Sequence, residues 1–144
     1  MRITIGCDDT EYALKEAIKA HLAMQGDVPV EIEDMGVYST DPADYPDIAQ
    51  KVASAVAEKR CERDTLVWGT EIGMGIVANK VPGIRAALCR DVCSAEQAQE
   101  SNDAQILTMG GRVVGPELAR KVVEAWLRSY FAGEPFARKV QKII

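Results

Sequence analysis

Asp64-Thr65-Leu66-Val67-Trp68-Gly69-Thr70-Glu71-Ile72-Gly73-Met74-Gly75 is the stretch that decides the fold. Residues 64–67 are a short run containing β-branched Thr65 and Val67, of strand type. It passes without a spacer into a loop with glycines at 69, 73 and 75. A helical pattern follows at residues 76–80, so the whole reads as strand, tight turn, helix. The same alternation extends outward. Residues 2–6 read as a first strand and 13–25 as a helix with Leu14, Ile18, His21 and Leu22 on one face and Gly26 as its stop. Residues 28–33 form a second strand, 35–46 a loop, and Ile48, Val52, Ala55 and Val56 mark the next helix. Residues 84–89 and 104–109 are further strands, with a helix from about residue 94 between them. Gly115-Pro116-Glu117 opens a long helix striped by Leu118, Val122, Ala125 and Trp126, and the basic tail 136–144 reads as a short amphipathic helix. Five strands alternating with helices predict an α/β fold with a parallel sheet covered on both faces.

Composition narrows the function. The chain has 144 residues, 47% of them hydrophobic and 27% charged, which fits one domain, residues 1–144, around one core. A formal net charge of -5 argues against a nucleic-acid binder and against an anionic membrane surface as partner. The opening Met1-Arg2-Ile3-Thr4-Ile5-Gly6 is a strand rather than a leader, and no apolar stretch is long enough for a membrane span. The expected compartment is therefore the cytoplasm. The cysteines at 7, 61, 89 and 93 form no Cys-x-x-Cys pair and His21 is the only histidine, so reduced thiols are expected and no metal site.

In a parallel α/β sheet the ligand sits beyond the carboxyl ends of the strands. That directs attention to Cys7-Asp8-Asp9, to residues 68–75, to Arg90 and to Gly110-Gly111-Arg112. The glycine loop offers backbone N–H groups to an anion or a developing oxyanion, though a plain strand-to-helix turn would look the same. The Asp8-Asp9 pair reads from its spacing as a helix cap, Asp8-x-x-Glu11 fitting a capping box, while in the functional reading its carboxylates hold sugar hydroxyls. Ser101-Asn102-Asp103 is ordinary turn chemistry, and His21 reads as a packed core residue. Arg112 stands out among the arginines because it follows a strand end and two glycines.

These blocks together resemble the family of ribose-5-phosphate isomerase B and the galactose-6-phosphate isomerase subunits. The resemblance runs through Ile5-Gly6-Cys7-Asp8-Asp9, Asp44-Tyr45-Pro46-Asp47, the segment 69–74 and the segment 78–87. It continues in Ser101-Asn102-Asp103-Ala104 and in the segment 111–119. It implies a Rossmann-like three-layer α/β/α sandwich on a five-stranded parallel sheet. It also implies a homodimer or dimer of dimers with the site at the subunit interface, no cofactor, and aldose–ketose isomerisation of a sugar phosphate through an enediolate.

Against that family pattern, Asp9 stands for a histidine and Trp68 for the catalytic cysteine. Glu71 stands for a glycine and Ser101 for the ring-opening histidine. The tail segment Glu134-Pro135-Phe136 lacks the usual Gly-Arg-His, and Lys139 aligns with the last phosphate-binding arginine. Asp8-Asp9 and residues 101–105 also resemble the D-erythrulose-4-phosphate isomerases. A four-carbon sugar phosphate forms no stable ring of its own and needs no ring opening, which suits Ser101. Indole cannot accept a proton at neutral pH. The expected base is therefore Glu71, with Cys7 and Asp9 as alternatives, and Thr70 stabilises the enediolate oxygen. Asp8, Asp9, Tyr45, Trp68, Gly69, Gly73, Met74 and Asn102 are the expected sugar contacts, with Arg112 and Lys139 on the phosphate. The competing reading is a family member that has lost the reaction and serves as a partner subunit or sugar-phosphate binder.

Overall fold

The computed structural model of the chain describes residues 1–24, 26–36 and 44–143. Five strands, β1 (Arg2–Cys7), β2 (Glu31–Asp34), β3 (Arg63–Trp68), β4 (Ala86–Leu88) and β5 (Ile106–Gly110), form one sheet in the order β2-β1-β3-β5-β4. Every pairing is parallel, so each crossover carries a helix. Helices α1 (Tyr12–Met24), α4 (Val92–Glu100) and α5 (Pro116–Arg128) bury one face together with Ile3, Ile5, Val67 and Leu107. Helices α2 (Tyr45–Ala57) and α3 (Ile72–Ala78) bury the other with Leu66 and Ile106. The three-layer sandwich expected from the alternation is the observed one. A four-residue helix, α6 (Ala137–Val140), lies in the tail.

The differences from expectation have local causes. Strand β2 begins at Glu31 rather than at residue 28, because Pro29 has no N–H to give to the ladder. Strand β4 is only three residues long, since the Ile84 N–H turns back to Val81 O and the Arg85 N–H donates to Gln105 Oε1. Helix α4 starts at Val92, two residues early, because Asp91 caps it through the Ser94 N–H at 2.7 Å. Helix α3 starts at Ile72 rather than 76, taking Gly73 and Gly75 into its first turns. Most of the expected loop 35–46 lies outside the described residues, and α2 begins within its end, at Tyr45. His21 lies partly buried on α1, as a packed histidine should, with Nε2 3.2 Å from Glu124 Oε1.

The two ends of the sheet are built differently. At the amino end, buried Arg63 donates to the carbonyls of Trp126 and Ser129 at 2.6 and 2.7 Å and fixes the end of α5 there. The Ala132 N–H donates to Glu100 O at 2.9 Å, so the tail leaves from that same end. At the carboxyl end, buried Lys15 pairs with Asp34 at 2.8 Å and ties α1 to the end of β2. Among the described residues no helix is long and apolar enough to cross a membrane.

Asp64 sits fully buried in β3, in register with Thr4 of β1. Burial pushes its carboxyl well above the ordinary 3.8, against the lowering effect of Thr4 and the Thr65 N–H. The folded chain therefore keeps a proton that the unfolded chain has already released. That contribution to stability is complete below the unfolded value and is lost as pH rises towards the folded one. Urea unfolding measured between about pH 4 and 8 should show Asp64→Asn with a shallower fall in stability with pH than the native chain. Parallel pH curves would mean that Asp64 is ionised in the fold.

Candidate active site

The carboxyl ends of β1, β3 and β5 converge on one clamp. The Gly111 N–H donates to Trp68 O at 2.8 Å and the Arg112 N–H to Gly69 O at 3.0 Å. The loop after β3 is thereby stitched to the turn after β5. Glu71 ends that loop in the left-handed region, φ 64°, where glycine is the residue without strain. Its side chain turns inward and is completely buried, with Oε2 packed against Gly110 so closely that a Cβ on that glycine would collide with it. Oε1 accepts from Arg90 Nε at 2.6 Å, while the Arg90 side chain remains half exposed. The carboxylate expected to be the base is therefore sealed beneath the loop.

Trp68 leaves the strand end and stacks on Tyr45, with ring centroids 4.2 Å apart and planes 31° from parallel. Both rings cover Gly73, where a Cβ would stand 2.7 Å from Trp68 Cζ3. This explains the glycine in the first turn of α3: the aromatic pair occupies the space a side chain would need. Met74 is fully buried in the α2–α3 core, so only its backbone remains for a ligand. The first turn of α3 leaves N–H groups without partners inside the helix, and they border Thr70, which is partly exposed.

Asp8 caps the single 3-10 turn at Asp9–Glu11, accepting from the Thr10 N–H at 3.1 Å and the Thr10 hydroxyl at 2.7 Å. Thr10 is thus the main partner of the Asp8 side chain, and the Glu11 N–H donates to the Asp8 carbonyl at 3.4 Å. Burial, opposed by Thr10, raises the Asp8 carboxyl above its ordinary value. Cys7 is fully buried in the α1–α5 core. Glu11, which the sequence marks only as part of a capping box, makes a second contact in the structure. Its carboxylate crosses to the turn after β5 and rests on Gly111, where a Cβ would collide with it. Burial first, then the charge of Asp8, raises the Glu11 carboxyl above 4.5, with Arg112 pulling the other way. The signal for it in the sequence is the pair Gly110-Gly111: two glycines after a strand mark a backbone on which other groups pack.

Asp8, Asp9, Tyr45, Trp68, Gly69, Thr70, Glu71, Gly73 and Arg112 thus share the carboxyl edge, and Arg112 Nε would stand 3.3 Å from a Cβ on Gly69. Ser101 and Asn102 do not join them. They precede β5, bonded to Gln97 O at 2.8 and 3.1 Å, at the opposite edge of the sheet. The five residues of β5 separate the two edges by roughly 15 Å. Lys139 lies on α6, in the tail that leaves that same amino edge.

The ribose/galactose isomerase family model matches residues 3–143. The D-erythrulose-4-phosphate isomerase of Pectobacterium atrosepticum is 44% identical over 99% of this chain and 93% of its own. The ribose-5-phosphate isomerase B of Escherichia coli is 41% identical over 99% of this chain and 93% of its own. The structure of ribose-5-phosphate isomerase B from Clostridium thermocellum superimposes with a TM-score of 0.94 at 44% identity, covering 99% of this chain and 95% of that one. With residues 3–143 matched by the family model and the fold shared with a solved relative, this protein belongs to the ribose/galactose isomerase family.

Proposed function

We propose that this protein interconverts an aldose and a ketose of a four- or five-carbon sugar phosphate through an enediolate. The observation that carries the reading is the full-length similarity to two kinds of sugar-phosphate isomerase, one of which acts on a four-carbon substrate. Thr70 and the N–H groups of the loop stabilise the enediolate oxygen, and Asp8 and Asn102 hold hydroxyls. Ser101 fits an open-chain substrate. Arg112 and Lys139 hold the phosphate.

Proton transfer needs a carboxylate that faces the substrate. Glu71, committed to Arg90 and sealed against Gly110, does not meet that requirement in this conformation. Glu11 does: it is only partly buried, lies beside the turn that carries Arg112, and has a carboxyl raised towards the range useful to a base. Asp9, also partly buried, is the alternative on the same turn. In this reading Glu11 moves the proton between C1 and C2.

In this reading Ser101, Asn102 and Lys139 come from a second copy of the chain, which is supported by Ser101 and Asn102 lying at the opposite edge of the sheet and by the tail leaving from that edge. The exposed apolar strip of Ile72, Ile76 and Leu88 beside the short edge strand β4 supports self-association. A second reading, a catalytically silent partner subunit, is favoured by one observation: Trp68 stands at the strand end where the family carries its base.

Exchange of the C1 or C2 proton with deuterated solvent, across four- to six-carbon sugar phosphates, separates these readings. The isolated protein should exchange a four- or five-carbon substrate, and a silent panel would leave only the partner-subunit reading. Glu11→Gln should lower exchange by roughly a hundredfold or more. Full exchange in that variant would move the base to Asp9. A base works ionised, so the rate should rise with pH through a value above 4.5. Asp8→Asn, which removes the neighbouring negative charge, should move that rise to lower pH.

The shared site makes a further demand. Thr70→Val and Asn102→Ala should each be inactive alone. Co-produced, they should recover about a quarter of native activity, because half of the random dimers hold one intact site out of two. No recovery would mean that each chain completes its own site.

A further inference from the structure

The Arg90–Glu71 pair has an arrangement that proton transfer does not use. Its acid is wholly buried and its base half exposed. Arg90 lies just beyond β4, at the same carboxyl edge as the loop. Its Nε is bound to Glu71 at 2.6 Å, and its terminal nitrogens have no other hydrogen-bond or ion-pair partner among the described residues. A guanidinium has five donors in a rigid plane, so fixing the Nε fixes the direction of the whole fork. Glu71 is itself fixed, by its left-handed backbone, by its packing on Gly110 and by the clamp beneath it. On the other flank of the same loop, Arg112 lies along Gly69, also without an ion-pair partner among the described residues. The three residues Gly69, Thr70 and Glu71 thus carry one guanidinium on each side.

We propose that Arg90 is an anion-binding residue of this site, held in position by Glu71, and that with Arg112 it takes the phosphate of the substrate. This rests on the reading that the substrate carries a phosphate. It gives the Glu71 carboxylate a function consistent with its burial: it orients a cation and does not touch the sugar. It also supplies, from the chain's own loop, a guanidinium that the tail segment at Glu134-Pro135-Phe136 lacks. Arginine suits the position because its Nε and its terminal nitrogens engage two different anions in one plane.

The test needs no turnover. Inorganic phosphate and the non-isomerisable erythritol 4-phosphate are titrated into the full chain by calorimetry. Arg90→Met should weaken both by roughly tenfold or more, and Arg90→Lys by less. Arg60→Met, a surface substitution, should change neither. Arg90→Met leaves Glu71 buried without its cation and can fail to fold. The double variant Arg90→Met/Glu71→Gln carries no buried charge and should show the same loss. Glu71→Gln should alter phosphate affinity when Arg90 is present and leave it unchanged in the Arg90→Met background. Native affinity for both ligands in the Arg90 variants would overturn the proposal, and equal effects of Glu71→Gln in both backgrounds would overturn the coupling. Proton exchange by the native chain is read separately. A protein that binds phosphate through Arg90 without exchanging any substrate keeps the anion site and loses the isomerase reading.

Discussion

Two main-chain hydrogen bonds, from Gly111 to Trp68 and from Arg112 to Gly69, hold together the loops that carry the candidate site. They join the ends of β3 and β5, which are neighbours in the sheet, and turn two separate loops into one rigid floor. The floor works only because residues 110 and 111 have no side chains. One glycine receives the Glu71 carboxylate and the next receives that of Glu11. A methyl group at either position would displace a charged side chain and part the loops. Overpacking of this kind costs about 1–3 kcal/mol in ordinary cores, and here it would also move the groups around the site.

Those two carboxylates, so close in space, have opposite surroundings. Glu71 is sealed, charge-paired and held by a backbone conformation that glycine would adopt more easily. A left-handed residue with a full side chain costs roughly 1–3 kcal/mol unless its surroundings over-determine it, and the Arg90 bond with the packing on Gly110 does so. Glu11 keeps partial access to solvent, a negative neighbour in Asp8 and a positive one in Arg112. One environment commits a carboxylate to structure, and the other leaves it free to exchange a proton. The proposed roles of the two residues follow from that division rather than from the number of acids.

Much of the fold was legible because each strand and helix carries its own signal. Period-two runs, apolar stripes and Gly115-Pro116 located the elements to within a few residues. The exceptions share a cause. Gly73 and Gly75 look like loop residues, so the sequence predicts a late start for α3, and only the Tyr45–Trp68 stack shows why glycine belongs at position 73 of that helix. That the glycine loop, Asp8 and Arg112 gather at one edge was legible, since each follows a strand. Glu11 and the Arg90–Glu71 pair were not, because their partners are set by which strands become neighbours. Gly111 lies a hundred residues from Glu11 in sequence, yet only one strand separates β1 from β5 in the sheet.

The same topology explains why a single chain leaves the proposed sugar contacts divided. In a parallel sheet every strand points the same way, so residues after strands and residues before them collect at opposite edges. Asp8, Thr70, Glu71, Arg90 and Arg112 follow strands, whereas Ser101 and Asn102 precede one. No rearrangement of loops short of unfolding β5 brings the two sets together within one chain. On the interface reading, a second copy would set its amino edge against the first copy's carboxyl edge. It also improves the charge balance, because the carboxyl edge carries Asp8, Asp9, Glu11 and Glu71 against Arg90 and Arg112, and the tail at the other edge carries Arg138, Lys139 and Lys142. An isolated edge with more acids than bases repels a phosphate dianion. The same edge facing a basic tail attracts one, so on the interface reading assembly and anion binding are one event.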